Sequence, residues 1–321
     1  MKILLTHSAE ARELYYGERA VTGLKALGEV VLHQGNEPLQ EDMLIAAAAD
    51  CDLVVSYRQS PAPAALFERL PRLKAFLRCA IDIRNIDVAA ASRAGVLVTQ
   101  ASVGFVAAVS EMVLGFLVDL ARGITRSTLE YRAGRVPQAA MGRELKASTL
   151  GIIGYGAIGR EVARVGRALG MRVLVHDPYV KDVEQVSLEA LLSEADYVVP
   201  LATATEETEN FMNAAAFARM KKGACLVNVS RGNLVDEAAL EAALDSGRLA
   251  GCAMDVGRAS DQMPTPRLAA RPDVIATPHA AGLTGPAIEH QALETVAQAA
   301  EIVQGRLPKG AVNAEHWRRR P

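Results

Sequence analysis

Short apolar segments alternate with longer amphipathic segments along most of the 321-residue chain. The short segments are rich in valine, isoleucine and leucine at consecutive positions, which is typical of parallel strands buried on both faces. Because helical patterns separate these segments, the sequence predicts an α/β fold of doubly wound parallel sheets. The predicted strands are Lys2–Thr6, Asp52–Tyr57, Leu73–Cys79, Val96–Thr99, Leu150–Ile153, Arg172–His176, Tyr197–Leu201, Ala224–Val229, Gly251–Asp255 and Val274–Thr277.

A glycine motif, G-Y-G-A-I-G at residues 154–159, divides the chain. Such a motif normally follows the first strand of a nucleotide-binding domain. Here about 150 residues with four predicted strands precede it, so we expect them to form a separate domain. The last helical pattern, Pro286–Val303, follows the sixth strand of the second set and could return to that domain. We therefore predict a nucleotide-binding domain at 100–285 and a second domain formed by 1–99 and 286–321.

The motif has the spacing G-x-G-x-x-G, which suits a dinucleotide pyrophosphate lying on a helix N-terminus. Gly154 allows the tight turn, Gly156 lets the backbone approach the phosphates, and Gly159 lets helix pack on strand. The next predicted strand ends in Asp177, 18 residues beyond Gly159. A carboxylate there can bind both ribose hydroxyls and would repel a 2′-phosphate, so the sequence favours NAD over NADP.

Three later polar residues, Arg231, Asp255 and His279, each follow or end a predicted strand. Ligands bind at the carboxyl edge of such a sheet, so we expect the three to converge there. Their types suit hydride transfer on a 2-hydroxy acid. Histidine can exchange the hydroxyl proton near neutral pH, and arginine can bind a carboxylate in a bidentate geometry.

On these motifs the chain resembles the D-isomer-specific 2-hydroxyacid dehydrogenases. The matching stretches include G-Y-G-A-I-G-R, V-H-D-P-Y, the run from A-R-M-K-K-G to L-V-D-E-A-A-L, and A-T-P-H-A-A-G. The resemblance implies a Rossmann domain inserted into a flavodoxin-like domain, and a homodimer formed partly through the helix matching Phe105–Ala121. It also implies that Arg231 and His279 are catalytic and that Asp177 and Asp255 bind NAD.

The complete predicted NAD site, with its fingerprint, strand ends and loop residues, is Gly154, Tyr155, Gly156, Ala157, Ile158, Gly159, Asp177, Pro178, Thr203, Thr208, Val229, Ser230, Arg231, Asp255 and His279. The predicted substrate contacts are Arg58, Ala80, Ile81, Asp82, Arg231 and His279.

The sequence departs from the family where a catalytic glutamate is expected, five residues after the matching aspartate. In D-V-G-R-A-S-D-Q-M-P that position is Ser260, followed by Asp261. The family glutamate pairs with the histidine and keeps it protonated. We therefore expect either that the Asp261 side chain reaches His279, or that Ser260 orients the ring as a neutral partner.

A second departure lies in C-A-I-D-I-R-N-I-D, residues 79–87, where the family pattern is close to A-G-V-G-V-D-N-I-D. A carboxylate at Asp82 would repel an anionic substrate unless it points away or pairs with Arg84 or Arg58. Ser102-Val103 also replaces a usual proline-glycine before the long helix. These changes surround the substrate rather than the cofactor, so an unusual substrate is expected. A charge swap between Asp82 and Arg84 that keeps the loop shape is the alternative.

Composition excludes other classes of function. The net charge of −2 and the 4% aromatic content give no basic field or stacking surface for nucleic acid. The longest apolar run, Val103–Ala121, contains Glu111 and Asp119, so no membrane span is predicted. The four cysteines lack metal-site spacing, so we expect buried thiols, no metal and a cytoplasmic protein. Because the family glutamate is missing, a non-catalytic NAD(H)-binding sensor or corepressor-like scaffold is the alternative to an enzyme.

Overall fold

The computed structural model describes residues 1–321, which form two compact units. The first unit comprises Met1–Phe105 and Leu283–Pro321, and the second comprises Val106–Gly282. The strands are β1 Lys2–Leu5, β2 Glu29–Leu32, β3 Leu53–Ser56, β4 Ala75–Arg78, β5 Leu97–Gln100, β6 Thr149–Ile153, β7 Arg172–His176, β8 Tyr197–Pro200, β9 Ala224–Asn228, β10 Leu249–Met254 and β11 Val274–Ala276.

The helices are α1 Ala9–Tyr15, α2 Glu18–Lys25, α3 Glu41–Ala48, α4 Ala64–Arg69, α5 Val88–Ala94, α6 Val106–Arg122, α7 Ile124–Arg132, α8 Ala157–Ala168, α9 Leu188–Glu194, α10 Ala214–Arg219, α11 Glu237–Asp245, α12 Pro266–Ala269 and α13 Gly285–Val303. Short 3₁₀ turns lie at Leu145–Ala147, Gly232–Leu234, Ser260–Gln262 and Ala314–His316.

The first unit is built on a five-stranded parallel sheet with the order β2-β1-β3-β4-β5. This is the flavodoxin order. Apolar side chains are buried on both faces, with α13 and α2 on one face and α3, α4 and α5 on the other. α13 is tied to the unit by buried polar contacts: the Thr295 hydroxyl lies 2.8 Å from that of Tyr16, and Thr99 donates to Gln298.

The second unit has a six-stranded parallel sheet with the order β11-β10-β9-β8-β6-β7. The direction of winding reverses at β6, between β7 and β8, so the switch point of the sheet lies beside the loop that follows β6. Helices α9, α10 and α11 supply a large apolar cluster on one face. α6 and α8 pack against each other in the same unit. The doubly wound α/β class predicted from the sequence is confirmed.

The structure corrects the element predictions in detail. Strand β2 was missed, because its residues E-V-V-L are short and only partly buried at the sheet edge. β10 begins two residues earlier than predicted, at Leu249, and the long helix α6 begins at Val106. All four cysteines are buried thiols outside any disulfide, as predicted. None of the helices has the length and apolar character needed to cross a membrane.

Candidate active site

The loop after β6 has a backbone shape that requires its glycines. Gly154 has φ +100°, and a side chain there would lie 2.6 Å from the main chain of Ala202. A Cβ on Gly159 would lie 2.2 Å from the carbonyl oxygen of Gly154, so helix and loop approach through this gap. Gly156 faces open space, and as the N-cap of α8 it offers no side chain to the first N–H groups of the helix. An anion can therefore approach those N–H groups, which include Ala157 and Ile158.

Asp177 joins this loop to the end of β7. One carboxylate oxygen accepts from the N–H of Tyr155 at 2.7 Å, and the other accepts from the N–H of Tyr179 at 2.9 Å. The Tyr155 ring also packs under the guanidinium of Arg160, 4.8 Å from the ring centre. Each Asp177 oxygen keeps a second acceptor direction, since a carboxylate has about four lone-pair sites. The half-buried carboxylate, with Pro178 beside it, can therefore accept hydrogen bonds from the two hydroxyls of a diol.

The turns after β8 and β9 hold the remaining predicted cofactor residues. The Thr208 hydroxyl donates to the carbonyl of Thr203 at 2.7 Å, which closes the turn after β8. Ser230, next to buried Val229, donates to the Ala202 carbonyl at 3.3 Å. The β6, β8 and β9 loops therefore contact one another along the same edge of the sheet.

Arg231 follows β9 on a loop that is packed tightly against the loop after β10. Its guanidinium donates to the carbonyl of Ser230 at 2.8 Å, and Asn228 donates to the Arg231 carbonyl at 3.0 Å. A Cβ on Gly232 would lie 2.1 Å from the carbonyl oxygen of Gly257. Only glycine permits this approach, so the Arg231 loop and the loop after β10 form one packed layer.

Asp255 is fully buried at the end of β10 and organises the loop that carries His279. Its carboxylate accepts from the Thr277 hydroxyl at 2.5 Å and from the N–H groups of Ala280 and Ala281, both at 2.8 Å. Its carbonyl accepts from the N–H of His279 at 2.9 Å. This arrangement holds His279 at φ +54°, a left-handed conformation that costs a non-glycine residue about 1–2 kcal/mol.

The His279 ring contacts the loop where the sequence offers Ser260 and Asp261. Nδ1 lies 2.7 Å from the main-chain carbonyl oxygen of Asp261. The sequence pointed to a side chain as the partner, whereas this contact is made by the backbone. A main-chain acceptor has no signature in the residue pattern, so only the structure could reveal it.

Two structural residues of this layer were missed by the sequence reasoning. The Arg258 guanidinium donates to Glu209 at 2.8 Å, to Asn210 at 2.5 Å and to the carbonyls of Asn233 and Val235. Glu237 accepts from the Arg258 N–H at 3.1 Å. They anchor the start of the loop after β10. The sequence offered only an arginine directly after Gly257, and the structure adds that a Cβ on this glycine would lie 2.6 Å from Pro264.

In the first unit, the predicted substrate residues follow β3 and β4. The Asp82 carboxylate accepts from the Arg84 guanidinium at 2.5 Å, so the two charges form an ion pair. The N–H groups of Ala80 and Ile81 donate to no acceptor within the chain, and both residues are half-buried. Adjacent backbone N–H groups of this kind can bind an anion.

Arg78, at the end of β4, fixes these two loops. Its guanidinium is fully buried and donates to the carbonyls of Tyr57 and Ser60 and to Asn85 Oδ1, the last at 2.6 Å. Asn85 in turn donates to the carbonyl of Arg58 at 3.1 Å. Burial lowers the pKa of Arg78 to about 10, so the group remains charged at neutral pH. The sequence reasoning missed it, although a charged residue in the strand pattern F-L-R-C must find acceptors.

The geometry of the second unit defines a class of protein. A parallel sheet whose switch point carries G-x-G-x-x-G, with an acid at the end of the next strand, is a dinucleotide-binding domain. Residues 114–281 match the family model described as "D-isomer specific 2-hydroxyacid dehydrogenase, NAD binding domain". The chain belongs to the D-isomer specific 2-hydroxyacid dehydrogenase family.

Relatives agree with this assignment. The chain is 31% identical to the glyoxylate reductase of Korarchaeum cryptofilum over 316 residues, which is 95% of both proteins. It is 38% identical to D-3-phosphoglycerate dehydrogenase 3, chloroplastic, of Arabidopsis thaliana over 251 residues, 76% of this chain and 43% of that enzyme. It spans about half the length of the phosphoglycerate dehydrogenases it matches.

A solved structure gives the same result. The structure of D-lactate dehydrogenase with NAD⁺ from Lactobacillus jensenii superposes with a TM-score of 0.82 at 26% identity. The match covers 97% of this chain and 99% of that one. The prediction of the family, of its fold and of an NAD-binding domain is confirmed.

Proposed function

We propose that the protein is an NAD-dependent oxidoreductase that interconverts a 2-hydroxy acid and a 2-keto acid. The observation that carries the proposal is the position of Arg231 and His279 on the same sheet edge as the G-x-G-x-x-G loop. Residues of these two types at that edge can bind a carboxylate and exchange a proton beside a dinucleotide. The named relatives are dehydrogenases and a reductase, and none of them supports the alternative of a non-catalytic scaffold.

The cofactor fits the residues of the second unit. In our proposal the N-terminus of α8 holds the pyrophosphate, and Asp177 accepts hydrogen bonds from the adenosine ribose. Thr203, Thr208, Val229 and Ser230 line the path along the strand ends. When bound, NAD supplies the acceptor or donor of the hydride at substrate C2.

His279 exchanges the proton of the substrate oxygen. Its Nδ1 is engaged by the Asp261 carbonyl, which leaves Nε2 as the atom that faces the reaction. In reduction of a keto acid the ring gives a proton to the oxygen that becomes the hydroxyl, and in oxidation it takes that proton away. A half-buried ring can do this while keeping a route to solvent.

Arg231 binds the substrate carboxylate and polarises the carbonyl. A guanidinium offers two parallel donors to a carboxylate, which fixes the orientation of C2. In the first unit, we propose that the N–H groups of Ala80 and Ile81 and the charge of Arg58 form a surface that can bind an anionic group. The Asp82–Arg84 ion pair supports an anionic substrate, because it cancels the negative charge that Asp82 would otherwise place in this loop.

The direct test is turnover of NADH with purified protein and a panel of 2-keto acids: glyoxylate, hydroxypyruvate, pyruvate, and bulkier aliphatic and aromatic members. Loss of NADH absorbance with at least one of them is expected. Arg231→Ala and His279→Ala should each lower kcat/KM by about 10²–10⁴-fold. Arg267→Ala and His316→Ala, both on exposed side chains, are the matched controls.

The proposal is wrong if no panel member reacts in either direction between about pH 5 and 9. Full activity of both site variants would refute the assigned roles while leaving the dehydrogenase intact.

A homodimer is proposed as the working form. α7 contains no buried residue, and the exposed apolar side chains Ile124, Leu129, Tyr131, Val136 and Met141 lie on it and on the loop that follows. Several exposed apolar side chains within one short segment suggest a surface that another chain can cover. Light scattering after size-exclusion chromatography gives the molar mass; a single-chain mass at micromolar concentration would refute the dimer.

A further inference from the structure

The contact between His279 and Asp261 determines which ring nitrogen carries a proton. A carbonyl oxygen can only accept a hydrogen bond, so Nδ1, 2.7 Å away, is the donor. In the neutral ring Nδ1 is then protonated and Nε2 has a lone pair. The loop therefore selects one of the two tautomers that a free imidazole would sample.

The loop is shaped to present this particular carbonyl. Asp261 and Gln262 both have left-handed backbones, with φ +54° and +57°. The hydrogen bonds within the loop use other carbonyls: the N–H of Gln262 donates to Ala259, that of Met263 to Ser260, and that of Gly257 to Gln262. The Asp261 carbonyl is thereby turned toward the histidine.

Both sides of the contact are held in place by neighbouring residues. The loop after β10 is anchored at Arg258 and by the close approach of Gly257 to Gly232. The ring side is fixed because His279 donates its N–H to Asp255, whose carboxylate also binds Ala280 and Ala281. Non-glycine residues with left-handed backbones therefore lie on both sides of this hydrogen bond, and such strain persists only where surrounding contacts impose it.

We propose that Asp261 is a positioning residue that acts on His279 through its main-chain carbonyl, holding the Nδ1-protonated tautomer so that Nε2 exchanges the substrate proton. The exchange of the substrate proton by Nε2 rests on the proposed function, whereas the assignment of the tautomer does not. A neutral backbone acceptor here takes the orienting role for which the family resemblance predicts a glutamate side chain.

The test is the ¹⁵N spectrum of histidine-labelled protein at about pH 9, where an ordinary imidazole is neutral. His279→Gln assigns the signals. The unsubstituted protein is expected to show a protonated Nδ1 and a bare Nε2 at His279. Asp261→Gly keeps the carbonyl and tolerates the left-handed backbone, so it should show the same tautomer. The proposal is overturned by an Nε2-protonated ring in the unsubstituted protein, or by a switch of tautomer in Asp261→Gly.

A backbone change gives the converse test. Gln262→Pro is incompatible with φ +57° and disfavours the left-handed backbone of Asp261. We expect this variant to show mixed tautomers and, with an active substrate, a fall in kcat of about 10²-fold. Gln262→Gly is the matched control, because glycine accepts the native backbone, and it should keep the Nδ1-protonated form.

If Gln262→Pro fails to fold, the Asp261→Gly spectrum still decides the matter. An Nδ1-protonated His279 in a protein that turns over no 2-keto acid would refute the proposed function alone. Turnover together with an Nε2-protonated ring would refute the positioning role alone.

Discussion

In the second unit, Asp177, Arg231 and His279 follow strand ends and stay half-buried, and main-chain groups hold each of them. In the first unit, two basic residues at the equivalent sheet edge, His7 after β1 and Arg78 at the end of β4, are fully buried. The two sheets share a parallel architecture but use this edge differently. The second unit presents three partly exposed side chains there, whereas the first unit buries these two basic side chains among the strand ends.

The difference has a physical basis. A charged or titratable group must find partners when it leaves water. Arg78 finds three acceptors, whereas neither ring nitrogen of His7 has a hydrogen-bond partner. His7 instead packs against the rings of Tyr16 and Tyr57, at 4.9 and 5.0 Å between centres. The stability of the protein should therefore depend on pH through buried His7 in the first unit. The partly exposed residues of the second unit should instead act on ligand binding.

The largest expected effect concerns His7. Burial, together with the positive charges of Arg12 and Arg78, lowers its pKa to about 3. The unfolded chain takes up a proton near pH 6.5 and the folded chain only near pH 3, so stability falls as the pH drops through this window. His7→Phe removes that proton uptake and should reduce the loss of unfolding free energy between pH 7 and 4 by about 3 kcal/mol.

The measurement is urea unfolding followed by fluorescence of Trp317, the one tryptophan, which is buried in the first unit. His316→Phe, at a half-exposed position, is the control and should behave like the unsubstituted protein. If the unfolding free energy of His7→Phe and of the unsubstituted protein depended equally on pH, the contrast between the two units would fail, because burial of His7 would then not cause the loss of stability at low pH.

A smaller effect, on cofactor affinity, is expected at the partly exposed sheet edge of the second unit. Asp177→Ser removes the acceptor of the ribose hydroxyls, and hydrogen bonds to charged groups contribute about 1.5–3 kcal/mol. NADH affinity should fall by about 10–100-fold, and discrimination against NADPH should shrink, since the repelling charge is gone. Titrations of NADH and NADPH fluorescence measure both. Glu184→Ser, in the same exposed segment, is the control; unchanged affinity in Asp177→Ser would place the ribose elsewhere.

The smallest effect is expected at the Asp82–Arg84 pair, whose side chains are 30% and 53% exposed. Pairs this open to water contribute about 0–1 kcal/mol to stability. Asp82→Asn leaves the Arg84 charge uncompensated, so KM for a 2-keto acid should fall by about two- to five-fold with little change in the thermal midpoint. Arg84→Gln should raise KM instead. Equal KM in the two variants would show that the pair lies away from the substrate.

Much of the sheet edge of the second unit could be predicted from the sequence. Little of the buried polar structure of the first unit could be. The glycine loop and Asp177 have fixed spacing because backbone sterics and one acid define the site. The edge strand β2 escaped prediction because its four residues are half-exposed and lack a clear period. Arg78 binds its loops through main-chain carbonyls, which leave no pattern in the residues that supply them.

The Asp261 contact could not be predicted for a related reason. A left-handed backbone is usually found at glycine and can then be predicted from the sequence, yet Asp261, Gln262 and His279 adopt it. Tertiary contacts to Arg258 and Asp255 impose that shape. The family pattern directed attention to side chains at 260 and 261, whereas His279 donates to the main-chain carbonyl of Asp261.

The four buried thiols have a consequence for covalent chemistry. Burial raises the pKa of Cys51 and Cys225 to about 11 and that of Cys79 to about 12, and it raises that of Cys252 as well. The thiolate is the nucleophile, so at neutral pH these sulfurs offer almost none to maleimides, iodoacetamide or peroxide. Cys79 directly precedes the loop proposed to bind substrate, but its thiol is buried and protonated, so reagents that modify cysteine will not label this loop through it. A cysteine introduced on the surface would therefore be the single reactive handle for attaching a fluorophore or a spin label.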